Sequence, residues 1–511
     1  MIEKQVIAVD FSKGIYRNLD SYLMGINAYL FATQNMVMRY GVLERSPGMV
    51  NHIAGSITGT PIMIQKSKWT SGTEYVWVLS DTKLNQRSGT TWSTYPAGNL
   101  TGSEDQRASN CYAYTVALGD LLLIANLGYN VQKYNGSTLA DLGGLTTVKS
   151  ATIANFMSHI VLGNTNEAGT ASPWRVKWSN ISTPETWTGG TSGQLDLIDT
   201  DDFITKLRTL YNRLFIYREK TIWELVYVGS PSYFRAVPLF SAVGTKAPDS
   251  LAEVTGITGR EGNNLFFGND NVYLFDSRSL TAVGDQVAAA LYGGSAIVNV
   301  NYLKRIQGYY DRTFKLYFLA IPTGVNTYPD TIFALDLQSG SWWGPIVPGI
   351  PIRCFGQDVN TGQTWNATNP LVGTWSQQSV TWLGTAVPRD VTLIGSAANS
   401  TILKLDPFTY QVGGSTPTAY IETGDMIPGT VTRWVRFYAE MNGTGGGTLM
   451  YSTDGGNSWK VLATVTGTGV GWLGLSWHFN FSSEKVRFRL TLADNVSKVR
   501  RMQIWYKRRA F

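Results

Sequence analysis

The sequence predicts an all-β protein: a β-propeller of six or seven blades followed by a C-terminal β-sandwich. Three observations predict this fold class. The composition favours strands and turns, because 12% of the residues are aromatic and 53 are glycine, and aromatic side chains are enriched in strands. Long stretches of helix-forming residues at helical spacing are missing. A short strand-and-turn pattern also recurs along the chain at a nearly constant interval.

The recurring unit is a polar or glycine-containing turn, then an alternating strand, then a second turn that often ends in an aromatic residue. The first five anchor residues of this pattern lie 45 to 50 residues apart, and the last two intervals are 60 and 70 residues. The seven anchors are Leu84, Val131, Val176, Ile222, Val272, Ile332 and Ile402.

A second apolar segment, such as YVWVL, DLLLIA or HIVLG, precedes each anchor. The repeat therefore contains paired strands, and a four-stranded propeller blade typically takes about 40–50 residues. Seven anchors predict seven blades, or six if the first or last belongs to a closing strand. A β-sandwich of unrelated hairpins is the alternative, but it does not easily explain the regular spacing.

The chain divides into three predicted regions. Residues 1–55 form an extended N-terminal segment that closes the propeller or reaches a neighbouring subunit. Residues 56–415 form the propeller. Residues 416–511 form a β-sandwich with basic C-terminal strands, because longer alternating strands are separated there by glycine-rich turns.

Composition also excludes several functional classes. The net charge is +6 and only 15% of the residues are charged. Acidic and basic residues are interspersed along most of the chain, so composition does not indicate nucleic-acid binding, which usually shows as a concentrated basic face. Cys111 and Cys354 are far apart, and His52, His159 and His478 are isolated, so no disulfide framework, metal site or catalytic triad is indicated. We expect no cofactor, no membrane insertion and folding in a cytoplasm.

One local motif resembles an Asp-box, S-x-D-x-G-x-T-W. Its residues are Ser452, Asp454, Gly455, Gly456 and Trp459. We predict a structural turn, in which the carboxylate accepts backbone hydrogen bonds and glycine supplies a positive φ. The motif also raises an alternative function, a propeller that binds or cleaves glycans. That function needs paired carboxylates, and although Asp201, Asp202 and Glu261 are candidates, no spacing selects them.

The C-terminal run is strongly basic, with Asp494 as its one acid. Alternation in KVRFRL places the basic residues on one strand face. We predict an interface with an acidic partner subunit or with packaged DNA, and the alternative is a solvated sheet face. The nine basic residues are Lys485, Arg487, Arg489, Lys498, Arg500, Arg501, Lys507, Arg508 and Arg509.

Several stretches resemble the tail hub and nozzle proteins of short-tailed bacteriophages, including the packaged-DNA-stabilisation proteins and tail tubular protein B. Ala28–Met36, followed by GVLERSPG at Gly41–Gly48, is similar to the opening of that family. The strands SDTKL and KTIWEL, the segment Gly244–Ser250 and the basic close of the chain are also similar.

The resemblance implies a structural virion protein and not an enzyme. Such a protein forms a ring of six copies that extends the DNA channel below the portal and adaptor. The ring helps to retain and then release the genome and holds tail fibres or spikes. The implied partners are further copies of the chain, the adaptor protein, the fibres or spikes, and double-stranded DNA in transit. The implied location is the virion tail, after assembly in the host cytoplasm.

Overall fold

The computed structural model describes most of the chain. The described residues are 4–17, 30–39, 41–53, 55–89, 91–95, 100, 108–199, 201–255, 262–294, 296–360, 389–398, 400–407, 409–443, 446–465, 471–493 and 496–508.

Seven four-stranded antiparallel sheets, counted over the described residues, form the blades of a β-propeller. Blades 1 to 3 consist of β6 (Pro61–Lys68), β7 (Glu74–Ser80), β8 (Leu84–Ser88) and β9 (Thr91–Tyr95); β10 (Ser109–Thr115), β11 (Gly119–Ala125), β12 (Gln132–Tyr134) and β13 (Leu139–Asp141); and β14 (Val148–Phe156), β15 (His159–Glu167), β16 (Thr170–Trp178) and β17 (Gly193–Asp196).

Blades 4 to 7 follow the same order. They consist of β18 (Ile204–Leu210), β19 (Arg213–Arg218), β20 (Ile222–Gly229) and β21 (Tyr233–Phe240); β22 (Ala252–Val254), β23 (Asn263–Phe267), β24 (Val272–Phe275) and β25 (Leu280–Ala282); β26 (Gln307–Asp311), β27 (Leu316–Ile321), β28 (Thr331–Asp336) and β29 (Ser341–Ile346); and β30 (Ile352–Asn360), β31 (Arg389–Ser396), β32 (Ile402–Asp406) and β5 (Gly48–Asn51).

The sequence repeat corresponds to one blade. Each anchor residue lies in or immediately before the third strand of its blade, from Leu84 at the start of β8 to Ile402 at the start of β32. The apolar segment before each anchor forms the second strand, which is buried between neighbouring blades. The predicted all-β propeller is therefore confirmed, with seven blades. The longer interval before Ile332 contains helix α1 (Ala288–Leu291) and a 3₁₀ helix (Val300–Arg305).

Strand β5, from the N-terminal segment, closes the ring. It pairs with β32 of the last blade, with Asn51 opposite Leu403 and Gly48 opposite Asp406. Apolar side chains then fill the junction between blades 1 and 7. This pairing joins the two ends of the ring in one blade, as the closure of a propeller requires.

Two larger antiparallel sheets form a two-sheet module at the side of the propeller. Both combine N-terminal strands with strands of the last hundred residues. The six-stranded sheet has the order β3 (Met36–Arg39), β4 (Val42–Arg45), β39 (Val496–Arg508), β34 (Thr432–Gly443) and β37 (Trp472–Ser483), with β1 (Lys4–Ala8) also on β39; the five-stranded sheet has the order β2 (Leu30–Gln34), β33 (Ala419–Thr423), β38 (Arg487–Leu492), β35 (Gly447–Ser452) and β36 (Lys460–Val465).

Aromatic side chains join the two sheets. The ring centroids of Trp434 and Phe488 lie 6.0 Å apart, and those of Tyr451 and Phe481 lie 4.3 Å apart. Fully burying one such large apolar side chain stabilises a fold by about 1.5–3 kcal/mol. Because the two ends of the chain share both sheets, the boundaries at residues 55 and 415 stay a prediction.

A buried asparagine connects the module to blade 6. The Asn35 backbone nitrogen donates to the Pro345 oxygen (2.9 Å), and Asn35 Oδ1 accepts from the Val347 nitrogen (2.7 Å). Asn35 Nδ2 donates to the Thr418 oxygen (2.7 Å). One continuous apolar core, which includes the fully buried Trp342 and Trp343, extends from blades 5 to 7 into both sheets of the module. The propeller and the module therefore form one packed body.

Candidate functional site

The predicted basic interface is divided between the two sheets of the module. Arg487 and Arg489 lie on β38, in the five-stranded sheet, and Lys485 lies two residues before this strand. The residues from Lys498 to Arg508 lie on β39, in the six-stranded sheet. Alternation along β38 is as predicted in one respect: Val486, Phe488 and Leu490 point into the core.

Arg487 is buried rather than available to a partner. Its Nε donates to Asp425 Oδ1 (2.9 Å) and its Nη1 donates to Glu422 Oε1 (3.1 Å). Its guanidinium also lies 4.1 Å from the ring centroid of Phe31. All three polar side chains are more than 90% buried, so this ion pair holds β38, β33 and β2 together.

Arg489 shares the same carboxylate. It donates twice to Glu422 Oε2, at 3.0 and 2.7 Å, and its guanidinium lies 4.0 Å from the ring centroid of Trp459. Glu422 and Asp425 precede the arginines by more than 60 residues. A search for basic runs therefore finds the cations and misses the acids that neutralise them.

The basic residues on β39 are more exposed. Lys498 Nζ lies 3.1 Å from Glu44 Oε2, and Arg500 pairs with Glu440 while lying over the Trp472 ring at 4.4 Å. Arg500 lowers the pKa of the Glu440 carboxyl by donating a hydrogen bond to it. Arg501 is exposed and Lys507 is half-buried. The side chain of Arg508 and the whole of Arg509 lie outside the described residues.

The Asp-box-like residues form a tight hairpin turn between β35 and β36. Asp454 Oδ1 accepts from the Ser458 nitrogen (3.0 Å) and from Ser452 Oγ (2.6 Å), and these bonds lower the pKa of the Asp454 carboxyl well below its usual value. Gly455 and Gly456 have φ values of +75° and +93°, which other residues rarely adopt. Trp459 lies against the Arg489 guanidinium. Every contact of this turn is architectural.

The two candidate catalytic acids that the structure describes, Asp201 and Asp202, lie in different environments. Asp202 is buried and accepts from the Lys220 nitrogen (2.8 Å) and Thr221 Oγ1 (2.6 Å), whereas Asp201 is exposed. Glu261 lies outside the described residues. Within the described ranges, no three His, Cys, Asp or Glu side chains converge as metal ligands, and no helix is long and apolar enough to cross a membrane.

The three histidines have separate environments. His52 Nε2 lies 2.7 Å from Asp358 Oδ2, which Arg87 also contacts at 2.6 Å. These three residues come from the closing segment, the last blade and the first blade, so they bridge the closure of the ring. His159 is buried in blade 3, and His478 is exposed on β37.

An axial pocket of about 390 Å³ lies at the centre of the propeller. Two ion pairs join blade 4 to the start of blade 5: Lys206 to Asp249 at 3.1 Å and Arg208 to Glu253 at 3.2 Å. Lys206, Arg208 and Asp249 line the pocket. Each blade contributes to its lining, through Met63, Asn110, Asn155, Lys206, Leu251, Gln307 and Phe355. A pocket of this size accommodates a small molecule and not a nucleic-acid duplex. No sequence pattern predicts this lining, because its residues share only their position on or next to the innermost strands.

No protein-family model and no curated protein matches the chain. Among solved structures, it is similar to BBS1N in complex with ARL6DN, with 11% identity, a TM-score of 0.41, and coverage of 73% of this chain and 99% of that one. It is also similar to a catalytically inactive virginiamycin B lyase from Staphylococcus aureus with quinupristin, with 9% identity, a TM-score of 0.38, and coverage of 70% and 98%. The S. cerevisiae core factor has 8% identity, a TM-score of 0.37, and coverage of 70% and 60%.

Proposed function

We propose that the chain is a structural subunit of the tail hub or nozzle of a short-tailed bacteriophage. One observation carries the proposal. The N-terminal stretch that resembles this family, from Ala28 to Gly48, supplies β2, β3 and β4 and leads into β5. These strands connect the propeller to the two-sheet module, so the stretch that is similar in sequence is also the segment on which the whole architecture depends.

A rigid composite body suits this role. The subunit would be held in a ring of six copies between the adaptor and the fibres or spikes. It would also bear the pressure of a packaged genome. The continuous core and the junction at Asn35 resist bending between the two parts. Closed rings are built from heterologous contacts, which require two different surfaces on each rigid subunit.

The DNA channel in this proposal lies between subunits and not inside the propeller. The axial pocket, of about 390 Å³, is too small for a duplex, and the charged side chains Lys206 and Asp249 in its lining pair with each other. Arg487, Arg489, Lys498 and Arg500 pair with carboxylates of their own chain. Cations neutralised in this way bind phosphates less strongly, because affinity for DNA follows the number of phosphates that are neutralised. Weak binding suits DNA that must slide.

The proposed function is non-enzymatic. The second candidate, a glycan-binding or glycan-cleaving propeller, is favoured by one observation: the axial pocket has the size and polar lining of a small-ligand site. The two candidates differ in where the chain is found, because the first requires the virion tail and the second does not.

Quantitative mass spectrometry of purified virions from the phage that encodes this chain tests the proposal. We expect a copy number equal to that of one hexameric ring, measured against the portal protein, and loss of the chain when tails are removed. If the chain is absent from the particle, the proposal is wrong. A binding screen of the purified protein with oligosaccharides then tests the second candidate.

A further inference from the structure

Large apolar side chains are exposed together on one face of blades 3 and 4. The turn between the first and second strands of a blade and the turn between the third and fourth strands lie at the same end, because successive strands are antiparallel. Five large apolar side chains at this end are each 44–48% exposed, and we call these five residues the turn face: Met157, Ile181, Tyr211, Tyr227 and Val228.

Contacts between the turns hold the turn face together. The Ser182 nitrogen donates to the Ser158 oxygen (2.8 Å), which joins the two turns of blade 3. His159 then joins blade 3 to blade 4, because its ring lies 6.3 Å from Tyr227 and 5.1 Å, edge-on, from Phe234. These contacts link the two turns of blade 3 to Tyr227 of blade 4, and Tyr211 lies at the same end of blade 4.

Two of its residues also have unfavourable backbone conformations. Met157 has a φ of +49° and Tyr211 a φ of +50°, in the left-handed region that glycine and asparagine occupy most easily. Each position thus carries backbone strain and exposes a large apolar side chain to water. Asparagine would relieve both costs. That methionine and tyrosine are present indicates that the side chains themselves are used.

A second apolar surface lies at the opposite end of the same blades, on the connection between β17 and β18. Ile198 is 68% exposed and Phe203 is 40% exposed. Asp199 and Asp201 are exposed beside them, and Lys220 Nζ contacts the backbone oxygen of Asp201 (3.1 Å). We call this set the acidic link: Ile198, Asp199, Asp201 and Phe203. It carries two negative charges against the one positive charge of Lys220.

The turn face carries a charge of the opposite sign. Arg235 is exposed on β21, opposite Val226 and close to the β20–β21 turn that carries Val228, with its side chain on the sheet face opposite to that of Tyr227. Arg213, which is also on blade 4, forms a bidentate ion pair with Glu224, so its charge is neutralised. Arg235 thus gives the turn face an excess positive charge next to its apolar side chains.

From these two surfaces we propose a head-to-tail contact between copies of this chain, in which the acidic link of one copy docks on the turn face of the next. Apolar side chains meet apolar side chains, and Arg235 meets Asp199 and Asp201. Exposed apolar patches of this kind mark interaction sites, and a contact between two different surfaces leaves one free surface at each end to propagate a ring. The inference deepens the proposed function and depends on it for the closure of a ring.

Two variants of the full-length chain test the contact by sedimentation and light scattering over a range of concentrations. The turn-face variant carries Met157→Asn and Tyr211→Asn, and the link variant carries Ile198→Ser and Asp199→Lys. We expect each to weaken self-association at least tenfold. The turn-face variant should unfold at the same or a higher temperature than the wild type, because asparagine accepts the positive φ. The control Val325→Asp, at a 92% exposed valine of blade 6, should leave association unchanged.

An equal mixture of the two variants gives the sharper result. One intact pair of surfaces remains, so the mixture should form dimers of one copy of each variant and nothing larger. A monomeric wild type at all concentrations, or variants that associate like the wild type, would overturn the contact. If the chain is absent from virions while association still depends on these residues, the proposed function fails and the contact stands. If the chain is in virions but neither variant changes association, the contact alone fails.

Discussion

The guanidinium of Arg487 lies 4.1 Å from the ring centroid of Phe31, a residue more than 450 positions earlier in the chain. It also donates hydrogen bonds to the carboxylates of Asp425 and Glu422. Arg487 belongs to the basic run of the sequence, but in the structure it is a buried cation. It also joins the N-terminal strand β2 to the end of the chain.

Removing the Arg487 charge should destabilise the protein strongly. Arg487→Met leaves Asp425 and part of the charge of Glu422 buried without a cation, and breaking a buried ion pair in this way costs about 3–5 kcal/mol. Urea unfolding should show a lower free energy of unfolding. The matched control is Arg501→Met on β39, where the side chain is exposed and the expected change is within about 0.5 kcal/mol. Equal losses in the two variants would show that the ion pair is not what holds this sheet.

Charge reversal on β39 tests the predicted partner interface. We expect Arg500→Glu with Arg501→Glu to block tail assembly, and the same for reversal at Arg508 and Arg509. The purified chain should stay folded, because Arg500 and Arg501 are exposed. Tail occupancy is counted on particles by electron microscopy, with Arg312→Glu on the propeller as the control. Normal tails on particles that carry the reversed residues would rule out this interface.

The stability of the protein should fall below neutral pH because of His159. Burial lowers the pKa of this imidazole, which contacts the Met157 oxygen (2.8 Å) and Thr191 Oγ1 (3.1 Å). Above the unfolded pKa of about 6.5 both states are neutral and this group has no effect. As the pH falls below that value, the unfolded state binds a proton that the folded state resists, so stability is lost by at most about 1.4 kcal/mol per pH unit. His159→Gln should flatten unfolding curves measured between pH 7 and 5. An unchanged pH dependence would show that another group is responsible.

Asn35 should be the most sensitive position at the junction between the module and the propeller. Asn35→Ala removes two side-chain hydrogen bonds at a buried site and puts alanine at a φ of +54°. We expect a loss of about 2–4 kcal/mol in the free energy of unfolding. Asn35→Gly keeps the backbone conformation and loses only the side-chain bonds, so it should cost less. If the two variants are equally stable, the backbone conformation contributes nothing.

The propeller could be predicted because its information is local. Each blade repeats a short pattern, and the anchors from Leu84 to Ile402 mark the third strand of every blade. The closure of the ring depends instead on pairing between Asn51 and Leu403, which no local pattern specifies. The partners of Arg487 and the membership of β1 to β4 in the module were missed for the same reason.

The candidate sites were less predictable than the fold. The Asp-box turn is a local motif, and its hydrogen bonds join residues within four positions of each other. The turn face is assembled from residues of two blades that are up to 71 positions apart, between Met157 and Val228. Exposure also cannot be read from a sequence in which buried and exposed tyrosines look alike.

The pairing of β5 with β32 has a consequence for synthesis. A strand made at positions 48–51 waits for a partner that is made about 350 residues later, roughly 20–70 s at bacterial or eukaryotic elongation rates. Strand β1 waits longer still, because its partner β39 ends at Arg508. The propeller ring cannot close before Ile402–Asp406 is made, and the six-stranded sheet cannot form in full before Val496–Arg508 is made. A product that ends before these strands keeps open strand edges, which expose it to proteolysis.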